Sequence, residues 1–264
     1  MRTSKRSFLA FRPLQTARLP GATCEYACAV LKVELHTHTS DDPSDWIPHS
    51  AQALIDRAAA LGYDALAITL HDHQSEDRAL AAYAAERGIV LIPGMERTIE
   101  GRHVLLLNFP AAAVEAVQSF EDVAALKQRF RGLVVAPHPF FPMPSCLLGK
   151  MKRHAAIFDA VEYNAMYTSS LNFNRLAERW ARRHGKPIVG NGDVHRLEQL
   201  GSTYSLVDAD RTAASICAAI AAGRVRVVTS PLSWRTSIRI MLSLFAAVGR
   251  VPANFSPASF KTNS

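Results

Sequence analysis

Short apolar runs alternate with amphipathic segments along most of this chain, and that alternation limits the fold more than any single motif. Apolar strand-like runs are expected at Val33–Leu35, Ala65–Thr69, Ile89–Ile92, Leu133–Ala136, Ala160–Tyr163, Pro187–Gly190, Tyr204–Val207 and Val225–Thr229. Between them, helical patterns run from the cap at Ser50 to about Leu61, from Glu76 to Arg87, from Val114 to Phe130, from Asn172 to His184 and from Thr212 to Ala222. Gly62 and Gly88 stand where the first two should stop. A turn at Glu100-Gly101 makes Arg102–Asn108 a hairpin partner for the third strand. Strand and helix in alternation argue for a mainly parallel sheet covered by helices. A chain of 264 residues suits one α/β barrel.

The strand ends carry the chemistry. His36 and His38 are two apart, so strand alternation puts them on one face. Such a pair alone is a weak sign of a metal site, because strand histidines more often make ordinary hydrogen bonds. The pattern repeats, however: His71, Glu96, His138, and Asp193 with His195 each follow an apolar run. In a barrel of parallel strands these ends meet at one rim, where barrel enzymes place their active sites. Imidazoles and carboxylates gathered there form a ligand set for divalent ions.

The ordered segments Glu34-Leu35-His36-Thr37-His38-Thr39-Ser40-Asp41, Leu66-Ala67-Ile68-Thr69-Leu70-His71-Asp72, Pro93-Gly94-Met95-Glu96, Gly101-Arg102-His103-Val104, Ala136-Pro137-His138-Pro139 and Gly192-Asp193-Val194-His195 resemble the PHP superfamily, named for polymerase-associated and histidinol phosphatase domains. The resemblance covers about residues 32–230. It implies a distorted (β/α)7 TIM-like barrel with two or three divalent ions, Mn, Fe or Zn. Carried over by position, His36, His38, Glu96 and Asp193 would hold one ion. Glu96 would share a second with His103 and His138, and Asp41, His71 and His195 would hold a third. The sequence departs from the family at two points. Leu70 stands where an acid usually precedes the histidine, with Asp72 or His73 as possible substitutes. The usual Ser-Asp-Gly reads Ser40-Asp41-Asp42, and Asp41 is expected to face the third ion.

The function these residues imply is hydrolysis of a phosphate ester, a small phosphomonoester or a nucleotide, by a metal-activated hydroxide. His138 or His195 would serve as acid for the leaving group. No Gly-x-Ser-x-Gly element or phosphate-binding P-loop offers another route. One alternative is an exonuclease acting on DNA or RNA ends. Another is a catalytically inactive, metal-stabilised binding module, favoured by Leu70 alone. Arg97 and Arg102 are open to either phosphate binding or ion pairing. His49, His154 and His184 read as capping or exposed residues, His73 as a loop residue, and Asp45 as a helix-entry residue. Met143, Met151 and the Phe140-Phe141 pair read as packing or a pocket wall.

The formal charge of +7 is concentrated at the ends. Residues 1–34 carry six Lys or Arg against two Glu, and residues 235–264 carry four against none. Residues 35–234 hold 20 basic and 21 acidic side chains, so the net charge of the body supplies no argument for nucleic acid. Residues 1–30 are expected to be a disordered basic extension, 31–234 the barrel, and 235–264 a terminal helix and tail. Ser4-Lys5-Arg6 has the outline of a twin-arginine signal, but Arg12 and Arg18 break the apolar run that should follow. Ile238–Val248 is too short to span a bilayer, although its flanking arginines leave membrane-surface contact open. Cys24, Cys28, Cys146 and Cys217 lack zinc or redox spacing and read as reduced thiols, which fits a cytoplasmic protein.

Overall fold

The structure is a computed structural model that describes residues 30–246. Nine strands form one sheet: β1 (Val30–Glu34), β2 (Ala65–Ile68), β3 (Val90–Ile99), β4 (Arg102–Leu107), β5 (Leu133–Ala136), β6 (Ala160–Asn164), β7 (Ile188–Asn191), β8 (Thr203–Asp208) and β9 (Val225–Thr229). Eight α-helices lie between and after them: α1 (Ala51–Ala60), α2 (Arg78–Glu86), α3 (Ala111–Glu115), α4 (Phe120–Arg129), α5 (Lys150–Arg153), α6 (Asn174–His184), α7 (Ala213–Ala221) and α8 (Trp234–Phe245). The extension expected over residues 1–30 falls, but for Val30, outside the described residues, as do Cys24, Cys28 and the chain after Ala246.

The helices start where side chains satisfy their free N–H groups. Ser50 accepts from Ala53, Asp77 from Ala79 and Leu80, Thr212 from Ser215, and Ser233 from Thr236. The helix expected as one piece over 114–130 is two. Ser119 and Asp122 form a reciprocal capping box that opens α4 afresh after the chain leaves α3.

The sheet order is β7-β6-β5-β4-β3-β2-β1-β8-β9. β1–β2–β3 and β5–β6–β7 run parallel within each set, while β4 runs antiparallel to β3 and β5, and β8 to β1 and β9. The sheet curls into a nearly closed barrel of the distorted (β/α)7 kind. Closure occurs at the rim beyond β1 and β7, where Thr37 pairs with Val194. There the His38 N–H donates to the Val194 carbonyl at 3.0 Å, and the Val194 N–H to that of His36 at 3.1 Å. Lower down, β7 approaches β8 and β9 so closely that a Cβ on Gly190 would lie 2.8 Å from the Tyr204 carbonyl. Only glycine fits there.

The barrel interior is filled by Leu31, Val33, Ala65, Ile92, Leu105, Val135, Ala160 and Val189. A second cluster, with Phe120, Phe158, Leu126 and Val134, lies under α4 and α6. These layers hold the strand ends rigidly at one rim. At the C-terminal end, α8 buries Ile240 and leaves Trp234, Ile238, Leu242 and Phe245 exposed. No helix among the described residues is long and apolar enough to cross a membrane.

Candidate metal centre

The strand-end residues converge as the alternation requires. His36 and His38 follow β1, His71 follows β2, His138 follows β5 and Asp193 follows β7, while Glu96 and His103 lie within the paired strands β3 and β4. Glu96 is the hub. One of its carboxylate oxygens, Oε2, lies 3.2 Å from His36 Nε2, 3.3 Å from His38 Nε2 and 3.2 Å from His71 Nε2. The other, Oε1, lies 2.8 Å from His103 Nδ1 and 3.2 Å from His138 Nε2. Asp193 Oδ1 completes the first side, 3.3 Å from His36 Nε2 and 3.6 Å from His38 Nε2. Among the described residues, the triads close enough to share an ion are His36–His38–Asp193, His36–Glu96–His138, His38–Asp42–His71 and His71–Glu96–His103.

Two of these residues sit in backbone conformations that side chains disfavour. His138 has φ 60° and Asp193 φ 49°. A non-glycine residue in such a region costs on the order of 1–3 kcal/mol, and such strain clusters at functional sites. Here it turns each side chain inward as its strand ends.

Behind the histidines lies a layer of carboxylates and amides. Glu162 Oε1 accepts from His36 Nδ1 at 2.9 Å and from Asn191 Nδ2 at 2.9 Å, and Oε2 accepts from Asn164 Nδ2 at 3.2 Å. Glu34 accepts from the backbone N–H groups of Gly192, Leu35 and His36. Asp42 accepts from His38 Nδ1 at 2.8 Å and from both the backbone N–H and Nδ1 of His71. The contacts to Nδ1 of His36, His38 and His71 fix the outer ring nitrogen and leave Nε2 facing the centre.

The electrostatics follow from crowding. Burial alone would depress His36, but Asp193, Glu96 and Glu162 outweigh it and hold it well above the usual histidine range. The same balance raises His38, against burial, through Asp193, Asp42 and Glu96. Burial would raise Glu96 and Asp193, yet the surrounding histidines, His36 foremost, keep both well below the usual carboxylate range. Glu34 goes the other way: burial pushes it up to about 8, against the N–H groups that favour its anion. Protons on the imidazoles thus occupy the place that cations could take.

The residues fit divalent ions. His38 Nε2 is buried without a hydrogen-bond partner. His103 Nδ1 is 2.8 Å from Glu96 Oε1 but misaligned for a hydrogen bond. Hard carboxylates with imidazoles, and no thiolate among the described residues of these triads, are a donor set for Mn, Fe or Zn.

Several expectations change. Asp41 is exposed and accepts from the Thr39 hydroxyl, whereas Asp42 is buried against His38 and His71. The turn at residues 40–41 carries the first acid outward and the second inward. His195 belongs to none of the triads; its Nε2 faces Asp45 Oδ2 at 3.0 Å. Asp45 is therefore a partner at the rim rather than a helix-entry residue. Leu70 packs in the core beside Leu66 and Leu80. Asp72 does not replace the missing acid: it turns outward to pair with Arg97 at 3.0 Å and accept from the Thr98 N–H. Arg97 is thereby an ion-pair residue, and Arg102 donates to the carbonyls of Pro144 and Cys146. His49 is buried, not exposed, with Nε2 at 2.9 Å from the His38 carbonyl, and burial pulls it down to about 4. Glu34, Glu162, Asn164 and Asn191 escaped the sequence reading. Their one signal was an acid or amide inside an otherwise apolar strand, where it must have a buried partner.

Comparison with known proteins agrees with this fold. A family model for a PHP-associated region matches residues 172–225. A two-domain protein from Bacteroides vulgatus, containing a predicted PHP-like metal-dependent phosphoesterase, has 17% identity and a TM-score of 0.62, the alignment covering 88% of this chain and 75% of that one. The family match is confined to residues 172–225, and the likeness to the Bacteroides protein is one of fold. Two further likenesses are also of fold. PsfC from Pseudomonas syringae has 15% identity and a TM-score of 0.58, covering 82% and 96% of the two chains. The lesion-specific endonuclease Q from Pyrococcus furiosus has 14% identity and a TM-score of 0.54, covering 81% and 66%. No curated protein matches by sequence.

Proposed function

We propose that the chain is a metal-dependent phosphoesterase acting through a centre of two or three divalent ions. The observation that carries this reading is Glu96, whose two oxygens divide between two groups of histidines. A carboxylate so placed is suited to bridge neighbouring ions. His36, His38 and Asp193 would hold one, and His103 and His138 a second. His71, presenting Nε2 beside Glu96 with its Nδ1 held by Asp42, would serve a third in place of the Asp41, His71 and His195 set. Bound divalent ions supply Lewis-acid polarisation of a phosphate and an ionised water near neutral pH. The phosphoesterase-containing Bacteroides protein and the endonuclease support hydrolysis at phosphorus in this fold.

The chain's own groups then have distinct tasks. Glu162 and Asp42 hold His36 and His38 in the tautomer that presents Nε2. Of the two candidate acids, His138 has both nitrogens engaged, Nε2 with Glu96 and Nδ1 with Cys146 Sγ at 3.5 Å. His195 stands at the rim, and Asp45, half exposed beside it, can hold a proton on Nε2 for delivery to the leaving oxygen. The test is hydrolysis of an aryl phosphate by His38→Ala, Glu96→Ala and Asp193→Ala after metal repletion. Loss in all three is expected; full activity in all three would refute the proposal.

A further inference from the structure

Helix α6 carries the densest run of positive charge in the body of the protein. Arg175, Arg179, Arg182 and Arg183 are all exposed, and Lys186 follows the left-handed turn at Gly185. At about 100° per residue the four arginines fall within roughly 100° of arc, opposite the buried Asn174, Ala177 and Ala181. Five of the 20 basic side chains of residues 35–234 lie in 172–186, with Glu178 the one acid. The rest of that body holds 15 basic and 20 acidic side chains, so the charge is local and stands on an acidic background.

The arginines are also unpaired. Arg87, Arg97, Arg211 and Arg239 each have a carboxylate partner. Among the described residues, none of the four on α6 has one within ion-pair distance; Arg179 donates only to the Arg175 carbonyl. A solvated helix face ordinarily mixes signs, because like charges at i and i+4 repel. Arginines on successive turns, about 5–6 Å apart, instead present a row of forked donors.

The helix that carries this row begins beside the metal centre. Asn174, the first residue of α6, exchanges two hydrogen bonds with the backbone of Asn164, at 2.9 and 2.8 Å. Asn164 in turn donates to Asp193 Oδ2 at 3.1 Å. At the same end, Phe173 packs against Phe141 with ring centroids 5.5 Å apart, both half-buried. Phe141 follows His138 by three residues, so it lies within about 10 Å of it along the chain. A pair of aromatic rings at the end of the helix that carries the arginines matches the two needs of a single strand: stacking for its bases and cations for its phosphates.

We infer that α6 and the Phe141–Phe173 pair form a track for single-stranded nucleic acid, presenting a phosphodiester to the metal centre. The inference rests on the phosphoesterase reading for its chemistry, but not for its binding. Anisotropy of a labelled mixed-sequence DNA 12-mer, titrated with the full chain in chelator so that nothing is cut, tests the binding alone. Wild type should bind, with affinity falling linearly in log salt. Changing Arg175, Arg179, Arg182 and Arg183 together to Gln should weaken binding at least tenfold at low salt. It should also reduce the salt slope by up to about 2.8, at roughly 0.7 for each phosphate no longer neutralised. The same four changed to Lys should restore most of both. Phe141→Ala with Phe173→Ala should weaken binding about tenfold without altering the slope.

Three results would overturn the inference: no binding by wild type at low salt, equal binding and slope in the Gln variant, or binding to phosphatidylserine vesicles but not to the 12-mer. The two claims separate in the metal-loaded protein. If the Gln variant loses the 12-mer but keeps aryl phosphate turnover, both stand. If wild type binds the 12-mer through α6 yet cleaves neither substrate, the track stands and the phosphoesterase reading fails.

Discussion

The inner wall of the centre, around His36, and its outer wall, around His195, are built in different ways. On the inner wall, His36, Glu34, Glu162 and Asn191 are wholly buried, and their contacts join residues in or just past β1, β6 and β7. On the outer wall, Asp45 is 47% exposed and His195 14%, and their contact joins two loops. The inner set is fixed before any ion arrives, because turning one side chain would leave a buried carboxylate, amide or imidazole without its hydrogen bond. The outer set meets water and can rearrange. A centre built this way keeps a rigid floor for its ligands and leaves adjustable groups where substrate must enter and leave.

The largest expected effect lies at the hub between the walls. Glu96→Ala should lower metal affinity and turnover beyond the about 10–100-fold typical of residues that only support a ligand. Competition with a colorimetric chelator measures the first and aryl phosphate hydrolysis the second. Glu162→Gln should fall within that 10–100-fold range for metal affinity. If the inner wall is rigid, the loss should appear in affinity while the stoichiometry of bound ions stays unchanged. Asp45→Asn should instead leave metal affinity within about threefold, on the outer wall's lesser ordering, and lower turnover, by removing the carboxylate that orients His195. Equal metal losses in Glu162→Gln and Asp45→Asn would erase the distinction.

Acidity separates the walls from their ions. In the metal-free protein the raised imidazoles stabilise the fold fully below the ordinary histidine range, and this is lost as pH rises through their raised values. Glu96 and Asp193, held low, stabilise above the ordinary carboxylate range, and this is lost as pH falls below it. Ions must displace the imidazole protons, so their affinity rises with pH. The melting-temperature gap between metal-loaded and chelated protein should therefore widen from pH 5.5 to pH 8. A constant gap would count against the ligand set.

The smallest effect distinguishes neighbours in sequence. Asp41→Ala should change stability by no more than about 0.5 kcal/mol and leave metal content intact, as for any exposed side chain. Asp42→Ala strips His38 and His71 of their shared acceptor and should cost metal and stability together. Melting curves with metal analysis of the two variants measure both.

That pair also marks how far the sequence could be read. His36, His71, Glu96, His138 and Asp193 were legible because each follows an apolar run, and parallel strands bring such ends to one rim. The hairpin of β3 and β4 was legible from Glu100-Gly101. Which of two adjacent acids turns inward depends on a few backbone angles in a loop, and periodicity does not extend there. Asp45 and His195 meet across 150 residues, a contact no local pattern encodes. Glu34 and Glu162 were hidden differently: strand alternation shows which residues face inward, not what polar partner awaits them. The break between α3 and α4 rested on a capping box at Ser119 and Asp122 inside a segment whose apolar spacing runs on.

The most direct test is the metal content of purified protein, by elemental analysis after repletion with Mn, Fe or Zn, with aryl phosphate turnover measured on the same sample. Two or three ions per chain, and turnover abolished by chelator and restored by metal, is the expected result. No retained metal, or turnover indifferent to chelation, would contradict the centre built on Glu96.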